Sequence, residues 1–491
     1  MSTVAVTSSH ALSRWLFLRL LGVVYLVAFA SLAVQVTGLV GEHGLLPAAP
    51  FLDWAHSIYG REAYRLLPTL FWLGAGDVAL QAAAWAGVAL AILLLLGVAP
   101  VAVLASLWLL YLSLTVAGQD FLSFQWDALL LEAGLLATLW APTGWLPRRG
   151  EGPPSPAVRW LLVFLVFKLM FLSGATKLLS GDPTWRHLTA LDYHFETQPL
   201  PTWIGWYAHQ QSTAVHRLAT AVMFLTELGA PWLLFAPPRL RRLRYLGVAS
   251  LVLLQAGIAL TGNYGFFNLL AIVLCVPALD AALLQRVLPL DLVGGGPEPR
   301  VWRVTLHALV PVLLCFSALA FWAEIAFTLP GGRGAALVPR WARAALGWVA
   351  PTRSFNGYGL FRVMTTERPE LVIEGSRDGE HWSEYEFRYK PGPVTRRPSF
   401  VEPLHPRLDW QMWFAALDPM SNVSLLQALS RHLRAGAPDV LALLGRNPFR
   451  GAPPRFIRFV QYDYRFATRA ERARTGAWWK RELVGYLPQL Q

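Results

Sequence analysis

Apolar runs of about twenty residues recur along the first two thirds of the chain, separated by short polar loops. A helix needs about 20 predominantly apolar residues to cross a bilayer. About nine stretches qualify: 15–36, 71–96, 98–117, 124–141, 159–179, 213–235, 245–261, 265–284 and 304–327. The second opens on Gly74, Gly76 and Asp77, which suit a span poorly. Runs this long and this numerous argue against the buried helices of a soluble α protein.

After about residue 330 the pattern changes. The segment 330–334, Pro-Gly-Gly-Arg-Gly, reads as a linker, and apolar runs give way to alternation. Residues 370–375 and 381–389 read as strands joined by a turn containing Asp378-Gly379. Residues 423–435 and 439–445 read as short helices. The stretch 455–468 alternates polar and apolar positions almost perfectly and is the strongest predicted strand. The expected architecture is therefore a polytopic α-helical membrane domain over 1–330, followed by a β-rich, sandwich-like exported domain over 331–491.

Composition agrees. The chain is 55% hydrophobic and 15% charged, more apolar surface than one soluble core can hide. Its two cysteines, Cys275 and Cys315, both fall inside predicted spans, so no disulfide framework or zinc site is available. The exported domain is expected to fold on a core of its own.

The net charge of +12 reads as a topology signal. Arginines gather before the first span (Arg14) and in alternate loops: Arg148, Arg149 and Arg159; Arg239, Arg241, Arg242 and Arg244; Arg286, Arg300 and Arg303. The intervening loops balance Arg61 and Arg65 against Glu42, Asp53 and Glu62, and Arg186 against Asp182, Asp192 and Glu196. The positive-inside rule puts the N-terminus in the cytoplasm and, with an odd number of spans, the C-terminal domain across the membrane. Membrane lipid is thus an expected partner and nucleic acid is not. Residues 28–33 resemble a signal-peptidase site, but the long preceding run containing Arg19 favours an uncleaved helix.

Several charges fall at membrane depth, where each costs about 2.5–3.5 kcal/mol on insertion scales. Glu132, Lys168, Lys177, His216, Arg217 and Glu227 are the ones to explain. Pairing across helices accounts for both signs being present. The alternative is an intramembrane catalytic site with Glu132, Lys177, His194 and Glu227 as acid–base groups. The loop 181–212 holds His187, His194 and His209 with Asp192 and Glu196. In a strand, Asp192, His194 and Glu196 would share a face, as an acid–base or metal cluster would require. The competing expectation is a loop whose Trp185, Trp203, Trp206 and Tyr207 sit at the lipid headgroups. No cofactor or metal signature is recognisable.

Six stretches together resemble the lipase maturation factor family: 121–134 (FLSFQWDALLLEAG), 167–185 (FKLMFLSGATKLLSGDPTW), 191–201 (LDYHFETQPLP), 263–268 (NYGFFN), 358–370 (YGLFRVMTTERPE) and 406–417 (PRLDWQMWFAAL). The resemblance runs from about residue 11 to the end. It implies a multi-span endoplasmic reticulum protein that assists folding and assembly of secreted lipases, with a luminal C-terminal domain that binds the client. The Arg-, Ala-, Leu- and Gly-rich composition and short loops look bacterial, which would place the chain in the cytoplasmic (inner) membrane with its last domain in the periplasm. On this resemblance the stretches 356–370 and 404–417 are the expected client surface, with Phe361, Trp410, Trp413 and Phe414 as aromatic anchors. The surroundings of Lys177 and Trp185 also resemble the membrane domain of vitamin K-dependent carboxylase relatives, which implies an enzymatic alternative.

Overall fold

The computed structural model of the chain describes residues 10–146, 154–288, 299–332 and 334–488. The expected linker residue Arg333 and the loop arginines Arg148 and Arg149 lie outside these. Helices dominate up to Val349. Those that frame the bundle and its site are, in chain order, α1 (Ala11–Ala33), α2 (Asp77–Leu96), α3 (Pro100–Ala117), α4 (Gln125–Trp140), α5 (Pro156–Leu179), the short α6 (Leu191–Thr197) and α7 (Trp203–His209), α8 (Thr213–Leu233), α9 (Arg241–Thr261), α10 (Phe267–Leu274), α11 (Arg300–Thr328) and α12 (Arg340–Val349); further short helices lie between them, among them Ala48–Tyr59 in the α1–α2 connection.

Among the described residues, six helices are long and apolar enough to cross a membrane: α1, α2, α3, α5, α9 and α11. The other three expected spans fall short for local reasons. Helix α4 has 16 residues and carries Asp127 and Glu132. Helix α8 reaches 21 residues but holds His216, Arg217 and Glu227. The predicted span 265–284 is broken: α10 stops at Leu274, a 3₁₀ turn follows at Val276–Ala278, and Asp280 caps a new short helix by accepting from Leu283 N at 3.2 Å. The second span starts at Asp77 rather than residue 71, because Gly74 takes φ +154° and the chain before it makes a 3₁₀ turn capped by Thr69.

Helix α5 is the central one, buried along most of its length, whereas α2, α9 and α11 turn most of their surface outward. It starts at Ser155, whose side chain accepts from Val158 N, with Pro156 in the first turn. Helices α1 and α2 touch through Gly87: a Cβ there would lie 2.1 Å from the Phe29 ring. Small residues serve this purpose in lipid, where close backbone approach supplies the attraction.

The bundle has two distinct ends. At one, His10 and Ser13 bond to Leu279 O, Arg159 donates to Pro277 O, and Arg244 pairs with Asp280 at 2.9 Å. At the other, Ser31 Oγ accepts from His405 N at 2.9 Å. Helix α1 spans the distance between them.

The chain after α12 forms a five-stranded antiparallel sheet in the order β3-β2-β1-β4-β5, with β1 Pro369–Ser376, β2 Ser383–Phe387, β3 Leu444–Arg446, β4 Phe456–Phe466 and β5 Trp479–Tyr486. Helices α13 (Arg407–Leu417) and α14 (Val423–Ala435) lie between β2 and β3 in sequence. The protein is thus a polytopic membrane protein with a β-rich C-terminal domain. The two predicted β1–β2 hairpin strands, the strand at 455–468 and the helix at 423–435 are present. The second predicted helix is shorter, Pro438–Leu441, and its end becomes β3.

A sandwich is replaced by a single sheet. One face, with Leu371, Ile373, Tyr385, Phe387 and Phe459, packs into the main core. The other is laced by ion pairs: Glu374 with its cross-strand partner Arg458 at 2.6 Å, and Glu384 with Arg481 at 2.8 Å. Arg458 also stacks 4.0 Å from the Trp382 ring. A charged face of this kind gives a second sheet nothing apolar to cover. Nor does the domain rest on a separate core. One apolar cluster runs from Phe17, Tyr25 and Trp126 of the bundle to Leu371, Trp410 and Phe459.

Candidate functional site

The buried charges of the bundle form separate clusters. Lys168 Nζ lies 2.5 Å from Glu132 Oε1 and 3.0 Å from Ser317 Oγ, while Tyr358 Oη donates to Glu132 Oε2 at 2.7 Å. These groups saturate one another, and Tyr358 brings the C-terminal domain into the pairing. Lys177 Nζ binds both carboxylate oxygens of Glu227, at 2.7 and 2.8 Å, and sits 5.2 Å from the Trp185 ring centre. Pairing of opposite charges is therefore what the structure shows for all four.

Three of the four acid–base candidates do meet. Lys177, Glu227 and His194 line one cavity of about 290 Å³ together with Phe361, Gln255 and Tyr264. Glu132 does not reach it. The His194 ring meets Phe361 edge-on at 4.9 Å, and its Nε2 lies 3.2 Å from Tyr264 Oη. Burial, then the nearby Lys177 cation, pull the His194 pKa down to about 4, so the ring is neutral at pH 7.

The loop 181–212 is not a strand. Asp192, His194 and Glu196 fall on helix α6 and point to different partners. Asp192 binds His216 Nδ1 at 2.7 Å, and Glu196 accepts from Phe466 N at 2.9 Å. Among the described residues no three His, Cys, Asp or Glu side chains are grouped to hold a metal ion. Of the aromatics expected at the headgroups, Trp185, Trp203 and Trp206 pack against the C-terminal domain, and Tyr207 is exposed. Trp206 is buried against Tyr464, Phe466 and Trp479, and its Nε1 donates to Ala467 O at 2.9 Å. Arg368 reaches back to the carbonyls of Glu196, at 2.6 Å, and Pro199, at 2.9 Å, and pairs with Glu370 at 2.8 Å. Trp185 donates to Phe361 O at 3.0 Å.

The aromatic anchors expected in 404–417 share one side of α13 at i, i+3 and i+4 spacing and differ in how deeply they are buried. Trp410 is 3% exposed and meets Trp126 edge-on at 4.8 Å. Trp413 is 7% exposed and donates Nε1 to Thr197 O at 2.8 Å. Phe414 is 36% exposed, and the patch continues through Leu417 and Met420, the latter 76% exposed. The loop entering α13 exposes Phe400 and Leu404 as well. Phe361 is half-buried on the cavity wall.

Sequence inspection missed Asp127 and Arg407 as partners, Gln255 and Tyr264 as cavity residues, and Leu417 and Met420 as surface. Asp127, Arg407, Tyr264 and Leu417 stand within the stretches that carry the family resemblance. Gln255 and Met420 had no signal of their own.

Comparison with known proteins accounts for nearly the whole chain. The profile of the lipase maturation factor transmembrane domain matches residues 12–286, and that of the lipase maturation factor C-terminal domain matches residues 354–488. Lipase maturation factor 2 of Homo sapiens is 37% identical, with 96% of this chain and 82% of the relative covered. Lipase maturation factor 2 of Xenopus laevis is 35% identical, with 97% and 82% covered. Lipase maturation factor 1 of Bos taurus is 34% identical, with 98% and 89% covered. No carboxylase is among these matches, and the enzymatic alternative gains no support from them. No solved structure matches. With both domain profiles matched in order and relatives covered over most of their length, the chain belongs to the lipase maturation factor family.

Proposed function

We propose that this protein is a membrane-anchored maturation factor that holds a secreted, lipase-like client while it folds or assembles. Residues 1–330 anchor and position; residues 331–491 hold the client. The observation that carries this is the exposed apolar surface of the C-terminal domain, Phe414, Leu417 and Met420 with Phe400 and Leu404, set on α13, its entry loop and the turn that follows it. Exposed apolar side chains gathered in one stretch of chain mark interaction surfaces. Within it Phe414 touches the client, Trp410 and Trp413 hold α13 in place, and Phe361 ties the surface to the membrane domain.

The same proposal includes nine passes across the membrane, α4, α8 and the 267–278 segment completing the six longer helices. Support comes from their ends. Phe17, near the start of α1, meets Trp140 at the end of α4, and Arg159 at the start of α5 bonds to Pro277 O. The arginine-rich end faces the cytoplasm and the sheet faces the endoplasmic reticulum lumen, or the periplasm in a bacterium.

Secretion of active lipase is the test. Cells lacking their own factor should regain it when they express this chain, and should lose it again with Phe414→Asp plus Met420→Asp. Full rescue by the double variant, at equal protein level, would remove this surface from the mechanism.

A further inference from the structure

The lining of the cavity that joins Lys177, Glu227 and His194 reaches the surface between α8 and α9, two helices that the proposed nine-pass arrangement sets in lipid. It does so at Ala219 and Gly257, both small and exposed. A Cβ on Gly257 would meet nothing within 4 Å. Gly257 lies between Leu253 and Leu260 on one side of α9, and these leucines are 72% and 50% exposed. On α8, Leu218 and Val222 flank Ala219 and are 66% and 53% exposed. Exposed aliphatic stripes on membrane helices are solvated by acyl chains.

Inside, the polar groups are unevenly satisfied. Lys177 and Glu227 neutralise each other. Tyr264 donates its proton to Gln198 Oε1 at 2.7 Å. His194 Nε2, 3.2 Å from the same Tyr264 oxygen, must therefore carry the ring proton, and Nδ1 is a bare acceptor. Among the described residues it has no partner, nor does Gln255 Oε1, whose amide nitrogen is turned to Met170 Sδ at 3.4 Å. Both residues stand on the cavity wall. An unpaired buried acceptor costs about 1–3 kcal/mol. What the wall lacks is a hydrogen-bond donor, and what the rest of the lining offers is hydrocarbon. The volume is at the small end of the ~300–1,000 Å³ typical of small-molecule sites.

We propose that this cavity is a lateral binding site for a single-chain, hydroxyl-bearing amphiphile drawn from the bilayer, its head donating to His194 or Gln255 and its tail leaving between Ala219 and Gly257. A long-chain alcohol or a monoacylglycerol has this chemistry. An ionised fatty acid does not, because its carboxylate would face two acceptors beside a lysine already neutralised by Glu227. The site is independent of the client surface on α13.

The full-length protein in lipid nanodiscs, labelled with a diazirine-bearing long-chain alcohol and mapped by peptide mass spectrometry, tests this. Label is expected on the segments around Ala219–Met223 and Leu253–Gly257. The unlabelled alcohol should displace it about tenfold better than the chain-matched carboxylate or alkane, one hydrogen bond's worth. Gly257→Phe, or Ala219→Leu should the first fold poorly, should abolish cavity labelling; Leu246→Phe, on the same outer face, should not. His194→Phe should reduce the advantage of alcohol over alkane. Label spread evenly along the exposed leucines and indifferent to Gly257→Phe, or equal displacement by all three competitors, would overturn the proposal.

Discussion

Arg407 and Asp127, 280 residues apart, form a bidentate ion pair with N–O distances of 2.6 and 2.8 Å, and both side chains are buried. Tyr111 Oη donates to the same carboxylate at 2.6 Å, and Arg407 also donates to Phe121 O at 3.0 Å. The pair joins the first turn of α4 to the first residue of α13. It pins the helix that carries the proposed client surface onto the membrane bundle.

Removing one partner should therefore be costly. Arg407→Ala leaves a buried carboxylate and is expected to cost about 3–5 kcal/mol, whereas Arg407→Met with Asp127→Leu should recover most of it. Thermal unfolding in detergent measures both. An Arg407→Ala protein that melts like the parent would mean that the ion pair does not hold the domains together.

The buried and the exposed side chains at the end of α13 should respond differently. Trp413→Ala removes a buried side chain and its bond to Thr197 O, and should cost about 3–5 kcal/mol of stability. Met420→Ser, at the surface, should stay within about 0.5 kcal/mol, and Phe414→Ser, whose ring also packs on Phe124 and Trp413, should cost less than Trp413→Ala. Retention of a co-expressed lipase on the affinity-purified protein is expected to fall with the second pair while the melting curve moves less than it does for Trp413→Ala.

Stability should fall as pH rises from about 5 to 8. Burial holds the Glu402 carboxyl up at about 8, against the bonds it accepts from Tyr264 N and Asn268 Nδ2. The folded state then keeps a proton that the unfolded chain has already released. The stabilisation is complete below the unfolded value near 4.5 and is lost as pH passes through about 8. Glu402→Gln has no proton to lose, and its stability should change less over this range. Parallel stability-against-pH curves for parent and variant would assign the slope to another group.

Orientation can be read with reporters active only outside the cytoplasm. One fused after Gln491 should be active, and one inserted at Arg241, between α8 and α9, should be silent. The reverse pattern would invert the protein in the membrane, contrary to its arginine distribution.

Much of this protein was legible in its sequence because lipid imposes a simple rule. A run of about twenty apolar residues has to become a helix in a bilayer, which is why the long spans α1, α3, α5, α9 and α11 lie where the hydrophobic pattern puts them. The alternation at 455–468 became β4 for an equally local reason, one face being buried. Family stretches were legible as strings. Their purpose was not, because stretches such as 121–134 and 406–417 carry the two halves of one contact, Asp127 and Arg407. Only the tertiary structure decided that Trp410 and Trp413 are buried while Phe414 is partly exposed, since i, i+3 and i+4 spacing gives all three the same side of α13 and the depth of each is set by partners from elsewhere in the chain, Phe124, Trp126 and Thr197. It also decided that the loop 181–212 is a docking platform, and that Lys177, His194 and Glu227 converge while Glu132 stays apart. Charge pairing depends on which helices become neighbours, and no short-range pattern along the chain records that.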